Sequence, residues 1–273
     1  MPLYPNGTGQ SLGDTLATCE PIYTSGDIWY VDSATGSDSY SGLDDKKPLA
    51  TLDAAVAAAS ANDIIVLMDG HSETLESTTI STAGIVIVGG GSSSGLPTVK
   101  LTPPGGGTGL TISGTGVQLR NLWFEDRTAA NESGYAGLSV TGANFQMIGC
   151  YCEVGQFDTG SMLSLGSGAN NARLVNTTFI ATGASLTAQP SAAVKIAAAV
   201  SDLDLDGLVL SGGTYGFSSP YAFDNTTASV AITRLKGTSV SLLLGADMSL
   251  YSTTTGFVNV QTTTGGSRVV WGV

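Results

Sequence analysis

Val117-Gln118-Leu119-Arg120-Asn121-Leu122 carries the pattern that decides the fold: apolar, any residue, apolar, any residue, small or Asn, apolar. The same pattern returns at Phe145-Gln146-Met147-Ile148-Gly149-Cys150, Ala172-Arg173-Leu174-Val175-Asn176-Thr177, Leu203-Asp204-Leu205-Asp206-Gly207-Leu208 and Val230-Ala231-Ile232-Thr233-Arg234-Leu235. Successive starts are separated by 28, 27, 31 and 27 residues. A fixed period of that size is the mark of a solenoid, in which each unit buries its apolar face against the next. Within a unit the apolar residues alternate at a spacing of two, so the repeating element is a strand.

Stacking the units places Leu119, Met147, Leu174, Leu205 and Ile232 in one interior column and Phe124, Cys152, Phe179 and Leu210 in another. Asn121 and Asn176, alternating with Gly149 and Gly207, fall at a tight corner, and both residue types tolerate left-handed backbone angles. A second strand precedes each unit, at Leu110-Thr111-Ile112, Leu138-Ser139-Val140, Leu163-Ser164-Leu165 and Val194-Lys195-Ile196. Several short strands per unit with no helical pattern between them predict an all-β parallel β-helix. The closely spaced leucines and shorter period of a leucine-rich repeat are missing. Further coils are traced at Ile64-Ile65-Val66-Leu67, Ile85-Val86-Ile87-Val88 and Phe257-Val258-Asn259-Val260, which predicts seven to eight coils in all. The alanine-rich stretch from Thr51 to Ala59 interrupts the strand pattern. Leu52, Val56 and Ala59 share a helical face and Thr51 is placed to cap, so a short helix is expected to cover the open end of the first coil.

Composition narrows the function classes. The 273 residues carry a net charge of −12 from 22 acids and 10 bases, with 42% apolar residues and a mean hydropathy of +0.21. An apolar content that high is at odds with an acidic disordered chain. A pI near 4.2 without clustered Lys and Arg predicts no nucleic-acid partner. Apolar runs all fall well short of the ~20 residues of a spanning helix, so no membrane insertion is expected. Met1 to Gly7 lacks the basic start and apolar stretch of a secretory signal, which predicts synthesis in the cytoplasm. Cys150 and Cys152 lie on one side of a strand and are taken as small core residues.

The order Ile28-Trp29-Tyr30-Val31-Asp32, Gly36-Ser37-Asp38, Ser41-Gly42, Lys47-Pro48, Thr51-Leu52 and Asp63-Ile64-Ile65-Val66-Leu67 resembles the entry segment of right-handed parallel β-helix proteins of the pectate-lyase-like superfamily. That resemblance implies the fold over about residues 28 to 260. Its members include polysaccharide lyases, hydrolases, bacteriophage tailspikes and non-enzymatic virion spikes, so function has to come from a site. Arg234-Leu235-Lys236 resembles one hydrolase motif, but the single histidine, in Gly70-His71-Ser72, lies outside the matching coils.

Candidate residues fall into three groups. Glu125 and Glu153 occupy the same place in successive coils, ~5 Å apart if the register holds, a spacing near that of a retaining glycosidase pair. Asp202, Asp204 and Asp206 alternate with Leu203 and Leu205, so all three are expected to point outward, as solvated charges or as oxygen ligands for calcium. Trp123 and Tyr151 take corresponding outward positions, where they would line a saccharide groove or pack on a neighbouring subunit; Trp29, Tyr215, Phe217 and Tyr221 are further aromatics.

Residues 1–27 read as an extended arm for attachment to a partner, 28–244 as the β-helix and 245–273 as a C-terminal coil and oligomerisation segment. Together these features predict a non-enzymatic bacteriophage virion protein, a capsid decoration or head spike on the capsid surface. Its arm would dock on the major capsid protein or other virion proteins, and the resemblance adds a homotrimer. No cofactor is expected beyond calcium. The alternative is a tailspike or secreted protein that binds and cleaves host surface glycans.

Overall fold

The computed structural model describes residues 25–104, 108–125, 137–154, 161–182, 192–211, 221–224, 230–236, 239–241, 247–251 and 269–272. Most of the expected arm and the coil at Phe257-Val260 lie outside these residues, as do Tyr215 and Phe217.

The chain winds into an all-β parallel solenoid. Among the described residues its wall consists of three parallel sheets of eight, seven and eight strands. Sheet one runs from Ile28–Val31 through Ile64–Leu67, Val86–Gly89, Gln118–Arg120, Gln146–Ile148, Arg173–Val175 and Val200–Asp206 to Val230–Lys236. Sheet two runs from Ser72–Thr74 to Ser239–Ser241, and sheet three from Thr78–Ile80 to Val269–Gly272. A two-stranded hairpin, Ser92–Ser93 with Leu96–Pro97, stands off this wall.

Register confirms the interior columns. Leu119, Met147, Leu174 and Leu205 are direct neighbours in sheet one, and Phe124, Cys152, Phe179 and Leu210 in sheet two. All eight are fully buried. Leu110, Leu138, Leu163 and Val194 form the matching column of sheet three. Cys150 and Cys152 are buried free thiols, and burial, with Cys150 beside it, pushes the Cys152 thiol well up from its ordinary value. That suits core residues rather than nucleophiles.

Ile232 departs from its expected column. It falls opposite Leu203, and Leu235 takes the place beside Leu205, because the register between Val200–Asp206 and Val230–Lys236 shifts twice.

Corner geometry explains the repeat. Asn121, Gly149, Asn176 and Gly207 all have positive φ, as their sequence positions require. In a second positive-φ column Gly116, Asn144 and Asn171 lie two residues before their sheet-one strands, and Asp202 falls inside Val200–Asp206. Each turn therefore makes two left-handed corners five residues apart, with a short strand of sheet one between them. Side chains reinforce both columns: Asn121 Nδ2 donates to the carbonyls of Gly89 (2.9 Å) and Gly91 (2.8 Å), and Asn171 Nδ2 to Asn144 Oδ1 at 3.1 Å.

This doubly cornered unit recurs in about four turns, those built on Gln118–Arg120, Gln146–Ile148, Arg173–Val175 and Val200–Asp206. The regular solenoid is thus shorter than the seven to eight coils expected. Strands at both ends prolong the sheets beyond these turns.

The entry end is closed by the expected helix, Leu52–Ala58. Thr51 caps it by accepting from the Ala54 amide, and Leu52 and Ala55 are its buried residues, with Val56 and Ala59 partly buried against the core. Its first amide, Leu52 N, donates to Glu73 Oε2 at 2.9 Å. That same carboxylate oxygen lies 3.0 Å from Nε2 of the fully buried His71. Because His71 Nδ1 accepts from the Ser33 amide at 3.0 Å, the ring carries its proton on Nε2 and donates it to Glu73. Asp63 ties the first strand to the second by accepting from Trp29 Nε1 (2.9 Å), Ser60 N (2.8 Å) and Asp27 N (2.7 Å). Burial pushes this carboxyl up, but the three hydrogen bonds outweigh it and hold the group below the ordinary carboxylate value.

Two predictions follow from the corners and the entry end. Gly149 has open space where a Cβ would sit, so Gly149→Ala should cost only the left-handed strain, about 1 to 2 kcal/mol, with Gly149→Asn recovering most of it. Asn121→Ala adds the loss of two hydrogen bonds and should cost about 3 kcal/mol in denaturant unfolding, and equal losses at the two corners would refute this account. For Asp63, a lowered folded pKa means its stabilisation is complete above an unfolded value of about 4 and is lost as pH falls through the folded value. Asp63→Asn should therefore flatten the acid limb of a stability-versus-pH curve.

Candidate functional site

The described outward side chains that gather into a polar and aromatic cluster lie on sheet two. Its outward row reads Ser72, Lys100, Trp123, Tyr151, Thr178 and Val209, each in direct register with the next. Alternation along a strand sends Phe124 and Cys152 inward and leaves Trp123, Glu125, Tyr151 and Glu153 on the outer face. Parallel stacking then brings residues 23 to 31 positions apart within side-chain reach.

Trp123 is held between its two strand neighbours. Lys100 Nζ lies over its ring at 4.4 Å from the centroid, and Tyr151 meets it edge-on at 5.2 Å and 75°. Contacts of both kinds follow from the quadrupole of the indole ring. The indole Nε1 is buried and has no hydrogen-bond partner among the described residues. A sugar ring stacking on Trp123 would have to displace Lys100 or Tyr151.

The same ammonium closes the first carboxylate. Lys100 Nζ donates to Glu125 Oε1 at 2.6 Å, with both side chains about one-third exposed. Glu125 and Glu153 do occupy corresponding positions, since Phe124 pairs with Cys152. Glu125, however, reaches back to Lys100 in the preceding turn, away from the turn that carries Glu153. Beside Glu153, Glu125 is therefore engaged by an ion pair to the preceding turn. Glu153 sits near Tyr151, whose phenol is raised above its ordinary value by burial first and by the Glu153 charge second.

The aspartate row is broken. Asp204 and Asp206 are half-buried on the outer face of sheet one, but Asp202 belongs to the left-handed corner column, with φ 57°, and is exposed there. Strict alternation fails because the corner lies inside the strand. Asp204 Oδ2 pairs with Arg173 Nε at 3.3 Å, its direct neighbour in register. Among the described residues no group of three or more His, Cys, Asp or Glu is placed to hold a metal ion.

Lys100 went unnoticed in the sequence because the irregular entry turn sets it 23 residues before Trp123, off the later period. Its signal was the strand Lys100–Thr102, once phased on Leu101 opposite Phe124.

No family model matches this chain, and no curated protein matches it. Among solved structures it is similar to a rhamnogalacturonan lyase, with a TM-score of 0.48 and 13% identity over 81% of this chain and 58% of the lyase. It is also similar to a pectin methylesterase from Aspergillus niger, with a TM-score of 0.39 and 12% identity over 81% of this chain and 86% of the esterase. A pectate lyase aligns with a TM-score of 0.31 and 14% identity over 82% of this chain and 78% of that one. The chain spans little more than half the rhamnogalacturonan lyase, and no residue role carries over at such identities.

The cluster makes one electrostatic prediction. Replacing Glu153 by Gln removes a negative charge beside the Tyr151 phenol, so the tyrosine should titrate at lower pH while remaining above its ordinary value, because burial persists. Tyrosinate difference absorbance reads this directly, with Tyr151→Phe identifying the band. An unchanged titration in Glu153→Gln would place the carboxylate out of reach.

Proposed function

We propose that this chain is a non-enzymatic structural β-helix, a bacteriophage virion protein of the capsid decoration or head-spike kind, made in the host cytoplasm and displayed on the capsid surface. The observation that supports it is the Lys100–Glu125 ion pair at 2.6 Å, with the same ammonium lying on Trp123. It turns the acid and aromatic residues best placed for polysaccharide chemistry into contacts between turns. A general acid must come within hydrogen-bond reach of the leaving oxygen, and a carboxylate oxygen already taken by an ammonium must first break that contact. Asp204 is engaged in the same way by Arg173. Side chains spent on joining turn to turn suit a rod that must stay rigid. In this proposal the rods stand side by side as a homotrimer, residues 245–273 contribute to the trimer contact, and residues 1–27 attach it to the major capsid protein.

Two measurements test the proposal together. Antibody labelling of phage particles from the source culture should decorate capsid shells. Incubation of the purified protein with a panel of neutral and acidic polysaccharides should release neither reducing ends nor unsaturated products. Turnover that disappears in Glu125→Gln or Glu153→Gln would replace the proposal with a polysaccharide-cleaving tailspike or secreted enzyme. Absence of the protein from every particle would overturn it as well.

A further inference from the structure

Lys100 places its ammonium where two kinds of cation recognition meet. Its Nζ lies 4.4 Å from the centroid of the Trp123 ring and 2.6 Å from Glu125 Oε1, so an aromatic face and a carboxylate hold one cation together. Tyr151 stands edge-on against the same indole at 5.2 Å, and Glu153 brings a second negative charge close enough to raise the Tyr151 phenol. Among the described strand residues of sheet two Lys100 is the only cation. The pair is open to solvent, with 36% of the Lys100 side chain and 33% of the Glu125 side chain exposed.

We propose that this cluster is a binding site for an amino sugar, a pyranose bearing a free amine, and that Lys100 is its built-in occupant. Recognition of a cation by an indole face and a carboxylate rests on charge and compactness, and a protonated sugar amine shares both with the lysine ammonium. Lys100 is weakly held, because ion pairs and cation–π contacts at exposed sites are each of small net value. It is also tethered, so a free amine that only reproduced its contacts would lose to it. A competing ligand must therefore bring further contact area. A pyranose does so: its amine takes the carboxylate while the C–H face of the ring lies on the indole and against Tyr151. A lysine-rich peptide offers the same ammonium on a thin stem and adds nothing to what Lys100 already makes. An acidic saccharide meets the repulsion of Glu125 and Glu153, and a neutral one has no charge to exchange for the ammonium it displaces. The net charge of −12 draws cationic chains toward the rod from a distance.

The site binds and breaks no bond, so it goes beyond the virion proposal without needing it: a rod on a capsid and a free protein would hold the sugar equally well. Antibody labelling of particles tests the location without any sugar, and the two readings therefore fail separately.

The experiment titrates the full chain calorimetrically with a glucosamine oligomer, its N-acetylated counterpart and a lysine oligomer, at mildly acidic pH where the amines are protonated. The glucosamine oligomer should bind, and the other two should bind several-fold more weakly. Lys100→Met removes the occupant and keeps its stem, so it should bind the glucosamine oligomer roughly ten-fold more tightly than the parent protein. Adding Glu125→Gln to that variant should cancel the gain. Equal binding of the lysine oligomer would reduce the site to the general attraction of an acidic chain for cations, and equal binding of the acetylated oligomer would remove the ammonium from recognition. Either result overturns the proposal, as does a parent protein that binds none of the three or a Lys100→Met protein with no gain. Lys100→Gln opens the site by a second route should Lys100→Met fail to fold.

Discussion

In each regular turn the chain enters its sheet-one strand through one left-handed corner and leaves it through another, and few residue types sit comfortably at both. Asn144 and Gly149 bracket one such strand and Asn171 and Asn176 the next, so the same corner falls at the same height in every turn. Everything downstream uses that alignment. Fixed corners keep Leu119, Met147, Leu174 and Leu205 in one column, which is what lets each turn bury its interior on the next. A residue that disliked positive φ at either corner would cost about 1 to 2 kcal/mol and would also push its strand off register. The backbone constraint and the hydrophobic columns therefore select the same sequence period, and neither would hold it alone.

Much of this was legible in the sequence, because alternating apolar residues and one corner column repeat at nearly constant spacing. The second corner column was equally present, as the residue just before each repeat, but a mixture of Gly, Asn and Asp carries no hydrophobic signal and went unread. Missing it had a local consequence. Alternation alone puts Asp202 in an outward row with Asp204 and Asp206, whereas its backbone turns the corner. Phasing on a period also fails where the period drifts. The 31-residue step into the turn at Leu203 foreshadowed the register shifts against the next strand, which moved Ile232 away from Leu205.

The candidate site was half legible for a related reason. Residues within the regular turns, such as Trp123 with Tyr151 and Glu125 with Glu153, were matched correctly by position. What position could not supply was the side chain's choice of neighbour. Each outward residue on a parallel wall has one strand before it and one after, and Glu125 had a cation on the earlier side and a like charge on the later. Coulombic attraction to Lys100 against repulsion from Glu153 decides the direction, and at a contact of 2.6 Å the attraction prevails. Sequence spacing gives both distances as equal, so only the sign of the charge in the irregular entry turn could have broken the tie.

The sparse charge of the chain acquires a structural meaning from this. On a solenoid wall neighbouring turns stand only ~4.8 Å apart, so a column of like charges repels itself at every step. Two described ion pairs join neighbouring turns, Lys100 with Glu125 and Arg173 with Asp204, while Glu125 and Glu153 carry like charge at one height. Elsewhere the outward positions hold Ser, Thr, Gln or Val, as in the row that ends at Thr178 and Val209. The net charge of −12 must then reside mainly at corners, loops and other places off the stacked columns, Asp202 among them. A wall arranged in this way gains cohesion from its few charges and keeps the rest where water screens them.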